Sequence, residues 1–379
     1  MIRALVLACA ALLAYAQAGY ALLLAALART LRLPPPVAEP DAVAPLPRVA
    51  LIVAAHDEEA VIEAKVRNAL DLDWDRERLT IVVASDGSSD ETVARARAAG
   101  ADVVLDLPRG GKVRAQDAAV DAVAHDVDLL AFGDANALWE RDALRRLAAA
   151  FADPQVGYAC GQVGFVGGSG TNQEGLYWRY EMALRGLESR LHAVTGGNGA
   201  IYAVRPDAYL RVDPVMGHDL AFPFAIVKRG LRAVYVPEAR ATEKMVPSIE
   251  GEWARKRRMM SHAWPIVLRG GMLSPRGYPA RYALMILSHR VLRYAAPFLH
   301  LALLAASLAR APRAGRAERA LLAGQLLLLA GTAAAGRVRL RPLLVARYYV
   351  LTQASIAMGL WDWARHGTPV GWQAPEGTR

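Results

Sequence analysis

The sequence predicts an α/β fold: a mostly parallel sheet with helices on both faces, flanked by apolar helices at either end of the chain. Two observations carry this. Short apolar runs alternate with helix-patterned segments between residues 48 and 132. An uncharged run covers residues 4–27, and residues 282–361 are again mostly apolar, while the region between has an ordinary globular mix.

Residues 4–27 are long enough to cross a hydrocarbon core at about 1.5 Å per residue. Ala16-Gln17-Ala18 resembles a cleavage site, but the apolar run continues past it to Leu27, so segment 1–30 reads as an uncleaved membrane anchor. Leu33-Pro34-Pro35-Pro36 and further prolines up to Pro47 make 31–47 a stiff linker. A catalytic domain is expected over 48–246. Its first strand, 49–54, is a short apolar run suited to a buried parallel position. A helix over 59–70, strand 79–84, helix 90–99, strand 102–105, helix 113–124 and strand 127–132 follow. Ligands on such sheets sit outside the carboxyl ends of the strands.

Residues 247–280 read as a basic amphipathic interface region, 281–362 as C-terminal membrane helices and 363–379 as a tail. The membrane candidates are 284–308, 320–335 and 343–360, the first interrupted by His289, Arg290 and Arg293. Both connecting loops are arginine-rich, and consecutive loops should lie on opposite sides. Three plain crossings therefore break the positive-inside pattern, and at least one segment is expected to be interfacial or re-entrant.

Lys plus Arg number 45 against 36 Asp plus Glu, a formal charge of +9. The arginines gather beside the apolar runs, at Arg29, Arg32, Arg255, Arg258, Arg310, Arg313, Arg316 and Arg319, which suits anionic lipid. Aromatic residues do not interleave with them as a single-strand groove needs, so no nucleic-acid partner is expected. Cys9 lies inside the first apolar run, and with Cys160 as the only other cysteine a disulfide framework or cysteine metal site is excluded.

The chemistry-bearing residues fall at strand ends. The first strand runs into His56-Asp57-Glu58-Glu59, where the simple alternative is helix capping. The second ends in Ser85-Asp86-Gly87-Ser88, a carboxylate beside a glycine turn that can bind a base or ribose edge. Arg109-Gly110-Gly111-Lys112 offers amides and cations to an anion ahead of a helix. The fourth strand ends in Gly133-Asp134-Ala135-Asn136, whose Asp and Asn supply hard oxygens suited to Mg²⁺ or Mn²⁺. Further on, His218-Asp219 precedes a helical run over 221–228, where Asp219 alone would be a helix cap and in this company is a candidate general base. Tyr177, Trp178, Tyr180 and Glu181 read as packing before an acceptor groove.

This order of motifs resembles family 2 glycosyltransferases with a GT-A fold, over residues 48–264. HDEE at His56 and Glu58 looks like the opening nucleotide-binding segment. SDGSSDET is similar to the second aspartate motif, placing Asp86 and Gly87 at the nucleoside. GDAN matches the metal motif, with Asp134 the main ligand and Asn136 the second, and Lys112 falls in the lysine region. The 195–205 stretch TGGNGAIYAVR resembles the acceptor loop, with Gly197 and Asn198 as contacts. His218-Asp219 stands where the family has Glu-Asp, so the resemblance gives Asp219 the base role and His218 an acceptor-side one. Glu252-Trp-Ala-Arg255-Lys-Arg-Arg258-Met259 resembles the Gln/Arg-x-x-Arg-Trp motif, with Met259 in place of tryptophan.

The resemblance implies an inverting hexosyl- or N-acetylhexosaminyl-type transferase for polysaccharide or glycolipid synthesis. It implies a nucleotide-sugar donor (UDP by default), a divalent cation, membrane lipids as partners, and a lipid-linked or saccharide acceptor. It places the enzyme as a multi-pass protein in a bacterial inner membrane with its catalytic domain in the cytoplasm. A processive synthase needs a pore, which so few helices do not suggest. A non-catalytic scaffold would be favoured by loss of Asp86, Asp134 or Asp219, all present. A nicotinamide enzyme would carry Gly-x-Gly-x-x-Gly after the first strand, where HDEE stands.

Overall fold

The computed structural model describes residues 1–31, 45–166, 173–244, 249–338 and 340–371. Of the expected linker, 32–44 lie outside the described residues, as do 372–379 of the tail and 245–248 where the interface region was to begin.

One eight-stranded sheet organises the chain, in the order β3-β2-β1-β4-β7-β6-β8-β5. Its strands are β1 (Val49–Ala55), β2 (Leu79–Asp86), β3 (Val103–Leu107), β4 (Leu129–Asp134), β5 (Leu138–Trp139), β6 (Val156–Val166), β7 (Ile201–Val204) and β8 (Arg232–Lys244). β3, β2, β1 and β4 are mutually parallel, as are β6 and β8, while β7 and β5 run antiparallel to their neighbours. Every residue of β1 is buried, because helices cover both faces and an unbroken Val-Ala-Leu-Ile-Val-Ala-Ala run suits that environment.

The helices are α1 (Ile2–Ala14), α2 (Tyr20–Thr30), α3 (Ile62–Leu70), α4 (Thr92–Ala98), α5 (Lys112–Val123), α6 (Ala143–Ala149) and α7 (Gln173–Leu191). They continue with α8 (His218–Lys228), α9 (Ile249–Leu268), α10 (Ala280–Met285), α11 (Leu292–Arg310), α12 (Arg316–Ala334) and α13 (Arg341–His366). Two differences from the sequence reading matter. α3 begins at Ile62 rather than Glu59, because the Glu59 amide bonds the Asp90 carboxylate at 3.1 Å and the chain turns there. α8 begins at His218, so Asp219 lies in its first turn and is not its cap.

Among the described residues, three helical stretches are long and apolar enough to cross a membrane: Ile2–Thr30, Ala280–Arg313 and Arg341–His366. α12, expected over 320–335, is not among them; its first turn carries Arg316, Glu318 and Arg319. α1 and α11 pack antiparallel, with Arg3 and Arg310 both meeting Glu318 at one end (3.6 and 3.2 Å) and Tyr15 bonding Ser288 at the other (2.9 Å). α13 lies against α9, where Arg257 grips Asp362 with two hydrogen bonds of 2.5 and 2.6 Å and Trp264 donates to the Ile356 carbonyl.

These helices share a core with the sheet. Tyr20 and Leu24 from α2, and Tyr282, Met285, Ile286, Tyr294 and Ile356 from the C-terminal third, join one apolar cluster with Phe132, Tyr202 and Phe222. The Tyr177–Glu181 group lies at this seam. Trp178 donates to the Val163 carbonyl (2.9 Å), Tyr180 to that of Gln17 (3.0 Å), and Glu181 holds Arg293 (2.8 Å). The aromatic cluster therefore packs.

Candidate active site

β1 lies between β2 and β4 in parallel register, which pairs Ala55 with Ser85 and Ala54 with Asp134. The loops after all three strands thus share one edge, and a crevice opens where the chain crosses from one side of β1 to the other. HDEE and SDGS are tied to each other there. The Asp57 amide donates to the Ser88 hydroxyl (3.1 Å), the Ser89 amide to the Asp57 carboxylate (2.7 Å) and the Glu58 amide to the Thr92 hydroxyl (2.8 Å). Asp57 adopts a φ of 51°, a left-handed conformation that these bonds hold in place. His56 Nδ1 lies 2.9 Å from the Asp86 carbonyl.

Asp86 is buried, and its carboxylate is fully engaged within the protein. It accepts from the Gly110 amide (2.6 Å) and the Gly111 amide (2.8 Å) and pairs with Arg109 at 3.1 Å. The aspartate therefore pins the Arg109-Gly110-Gly111 loop against the strand end. Gly87 and Gly111 both have positive φ, 64° and 96°. A side chain on Gly87 would meet the Arg109 backbone at 2.8 Å, and one on Gly111 would meet Val370 at 2.5 Å. The segment following α13 reaches this loop.

α5 starts on Lys112, whose ammonium pairs with the Asp134 carboxylate at the end of β4. Burial pulls the lysine down, but Asp134, with help from Asp219 and Glu243, more than offsets it and holds the ammonium above its ordinary value. Lys65, fully buried in the apolar stripe of α3, donates to the Ala137 carbonyl (2.6 Å), and burial pushes it down to about 7. Glu243 near the end of β8 faces the same cluster; burial and then Asp134 push its carboxyl up to about 7. Among the described residues no three His, Cys, Asp or Glu side chains form a preformed metal cage. At the end of β4, Asp134 and, two residues on, Asn136 are the oxygen-bearing side chains that could hold a hard cation such as Mg²⁺ or Mn²⁺.

Residues 195–198, the loop expected on the acceptor side, lead into β7. The Gly197 amide donates to the Asp219 carbonyl at 2.7 Å, which ties this loop to the turn carrying the candidate base. A side chain on Gly197 would overlap the Tyr158 hydroxyl. Asn198 is buried: its amide nitrogen donates to the Gly161 carbonyl (2.5 Å) and its oxygen accepts from the Ile201 amide (3.0 Å), so it shapes the turn. His218 is buried too, stacked on Phe222 at 4.1 Å with Nδ1 2.8 Å from the Tyr202 hydroxyl. Burial and then Lys112 push it down to about 3, so it is a neutral core histidine. On α9, burial and then Arg255 lower Arg258, and burial leads in lowering His262, whose surroundings include Arg258 and Asp219.

The family described as Glycosyltransferase like family 2 matches residues 47–261, more than half of the chain. The chain belongs to glycosyltransferase family 2. No curated protein matches this glycosyltransferase in sequence. Among solved structures it is similar to the mannosyltransferase PcManGT from Pyrobaculum calidifontis in complex with GDP-Man and Mn²⁺. The TM-score is 0.74 at 24% identity, covering 97% of this chain and 100% of that one. Glucosyl-3-phosphoglycerate synthase from Mycobacterium tuberculosis, in complex with Mn²⁺, UDP and glucosyl-3-phosphoglycerate, matches with TM-score 0.43 and 19% identity, over 64% of this chain and 84% of that one. The fold of this glycosyltransferase is GT-A.

The structure brings His56, Glu58, Asp86, Gly87, Lys112 and Asp134 to one crevice edge, and the 195–198 loop to Asp219. Sequence reading missed Lys65 and Glu243. The signal for Lys65 was present, since a lysine three residues after Ile62 and one before Val66 falls on the buried helix face. Glu243 had no such signal, because only the β5–β8 pairing of Leu138 with Thr242 brings its strand to the Asp134 loop.

Proposed function

We propose that this family 2 glycosyltransferase is an inverting enzyme. It moves a sugar from a nucleoside-diphosphate sugar, UDP-sugars first in line, to a lipid-linked or saccharide acceptor at the cytoplasmic face of a bacterial inner membrane. The observation that carries this reading is the loop through residues 195–199: its Gly197 amide bonds the Asp219 carbonyl, and a side chain on Gly199 would come within 3.4 Å of the Lys112 ammonium and 3.9 Å of the Asp134 carboxylate.

An acceptor hydroxyl attacks the anomeric carbon from the face opposite the diphosphate. The new carbon–oxygen bond forms as the old one breaks, the electron pair leaves with the nucleoside diphosphate, and Asp219 takes the hydroxyl proton. Lys112, paired with Asp134, supplies positive charge toward the departing phosphates, and Arg255 and Arg258 bring more from α9. A Mg²⁺ or Mn²⁺ bound at Asp134, with Asn136 as second ligand, would offset the charge growing on the diphosphate. His56, Glu58, Asp86 and Gly87 form the donor wall, and Gly197, Asn198 and His218 shape the acceptor side. The apolar stretches Ile2–Thr30, Ala280–Arg313 and Arg341–His366 support a membrane setting.

The test is transfer and nucleotide release by membranes carrying the wild type or Asp219→Asn, with Mg²⁺ or Mn²⁺, native lipid extract, and UDP- and GDP-sugars. The wild type should release nucleoside diphosphate in a metal-dependent way, and the variant should be slower on the order of 10²–10⁴-fold. Full transfer by Asp219→Asn removes Asp219 from the base role. A wild type that turns over no donor favours a scaffold, and a ladder of products favours a polymer synthase.

A further inference from the structure

Between α10 and α11 the helix widens into a π-helical turn, Ile286–Val291, and between α1 and α2 another spans Tyr15–Gly19. The two meet where Tyr15 bonds Ser288. Such insertions redirect side chains and concentrate at functional sites. Here the first turn delivers two consecutive residues to one loop. Arg290 Nε donates to the Thr195 carbonyl (3.1 Å) and to its hydroxyl (2.9 Å). His289 Nδ1 lies 3.0 Å from the same hydroxyl and 2.8 Å from Glu188.

Glu188 completes the grip. It accepts from the Thr195 amide (3.1 Å) and hydroxyl (2.9 Å), and from the Tyr20 hydroxyl of α2 (2.9 Å). Glu188 and Thr195 are buried, so each bond forms away from water and leaves a costly orphan if broken. Beyond Thr195, the Arg290 guanidinium covers Gly196 so closely that any side chain there would overlap it. Next along the loop, Arg185 donates to the Gly197 carbonyl (2.9 Å), and the Gly197 amide reaches the Asp219 carbonyl (2.7 Å). An unbroken path therefore runs from two apolar helices, through Thr195, to the candidate base.

We propose that Arg290 and His289 are positioning residues: the apolar helices hold the acceptor-side loop and the Asp219 turn in working shape, and are more than an anchor. This rests on the reading of Asp219 as the base. The donor wall does not depend on it, since its ties run among β1, β2 and the Gly110–Gly111 loop.

The full-length protein in lipid nanodiscs tests this with Arg290→Gln, Thr195→Val and the conservative Thr195→Ser. Nucleoside-diphosphate binding should stay at the wild-type level in all three. Transfer should fall on the order of 10–100-fold in Arg290→Gln and Thr195→Val, with acceptor KM raised, and Thr195→Ser should recover most of it. Hydrogen exchange over residues 193–200 should quicken in the first two variants while β1 and β4 stay protected. Unchanged transfer and exchange in both variants would overturn the inference. So would a loss of nucleotide binding equal to the loss of transfer, which marks general unfolding. An inactive wild type would sink the proposed function, and the exchange comparison would still decide the grip on the loop.

Discussion

On the donor side, Asp86 reaches the Gly110 and Gly111 amides across 24 and 25 residues, whereas on the acceptor side Arg290 reaches Thr195 across 95. The donor wall is knitted from neighbouring strand ends, with main-chain amides bonded to carboxylates and hydroxyls of the adjacent loop. The acceptor wall is held by long side chains arriving from helices at both ends of the chain. Local ties dominate the first half, although Val370 also reaches its Gly111, whereas remote ties make the second conditional on how the helices are seated.

The sharpest way to break this contrast is Asp86→Ala. It strips acceptors from two loop amides and a partner from Arg109, and each orphaned buried donor costs about 1–3 kcal/mol. Nucleotide binding measured by calorimetry should be lost, while exchange over 193–200 stays as in the wild type. If that segment loosens as well, the halves are not independent. Gly111→Ala is a milder probe, combining a φ of 96° with a 2.5 Å approach to Val370. It should cost about 1–3 kcal/mol and weaken nucleotide affinity without altering acceptor KM.

The smallest effect concerns pH. His218 titrates near 3 in the fold against an ordinary value of 6.5, so below pH 6.5 the unfolded chain takes up a proton that the folded chain refuses. Stability from this group is complete above 6.5 and declines as pH falls toward 3, at no more than about 1.4 kcal/mol per pH unit. Thermal melts between pH 5 and 7 should show a shallower slope for His218→Gln. An unchanged slope would mean that His218 does not sit neutral in the core.

The same contrast explains what the sequence made legible. Strand runs such as Val49–Ala55 and the motifs at their ends are contiguous, so pattern and chemistry coincide in a few residues. Asp86, Lys112, Asp134 and Asp219 could all be located that way. Their engagements were less visible: nothing local says that Asp86 holds its own loop or that His218 stacks on Phe222. Arg290 reads in sequence as a charge interrupting a membrane helix. Only the packing of Ile286–Val291 against residue 195 turns that interruption into a contact.

The shared core has a consequence for how the enzyme is made. A chain emerging amino-terminus first has β1 through β4 and their mutual ties early, although Val370 joins the Gly111 loop only near the end. Thr195 must wait for Arg290, 95 residues later, before its loop is tied down. Until then Glu188 lacks its histidine and arginine neighbours, and the apolar surface around Phe222 and Tyr202 lacks Tyr282 and Ile286. The residue-195 loop thereby gains its last ties only once the later helices have been synthesised and packed.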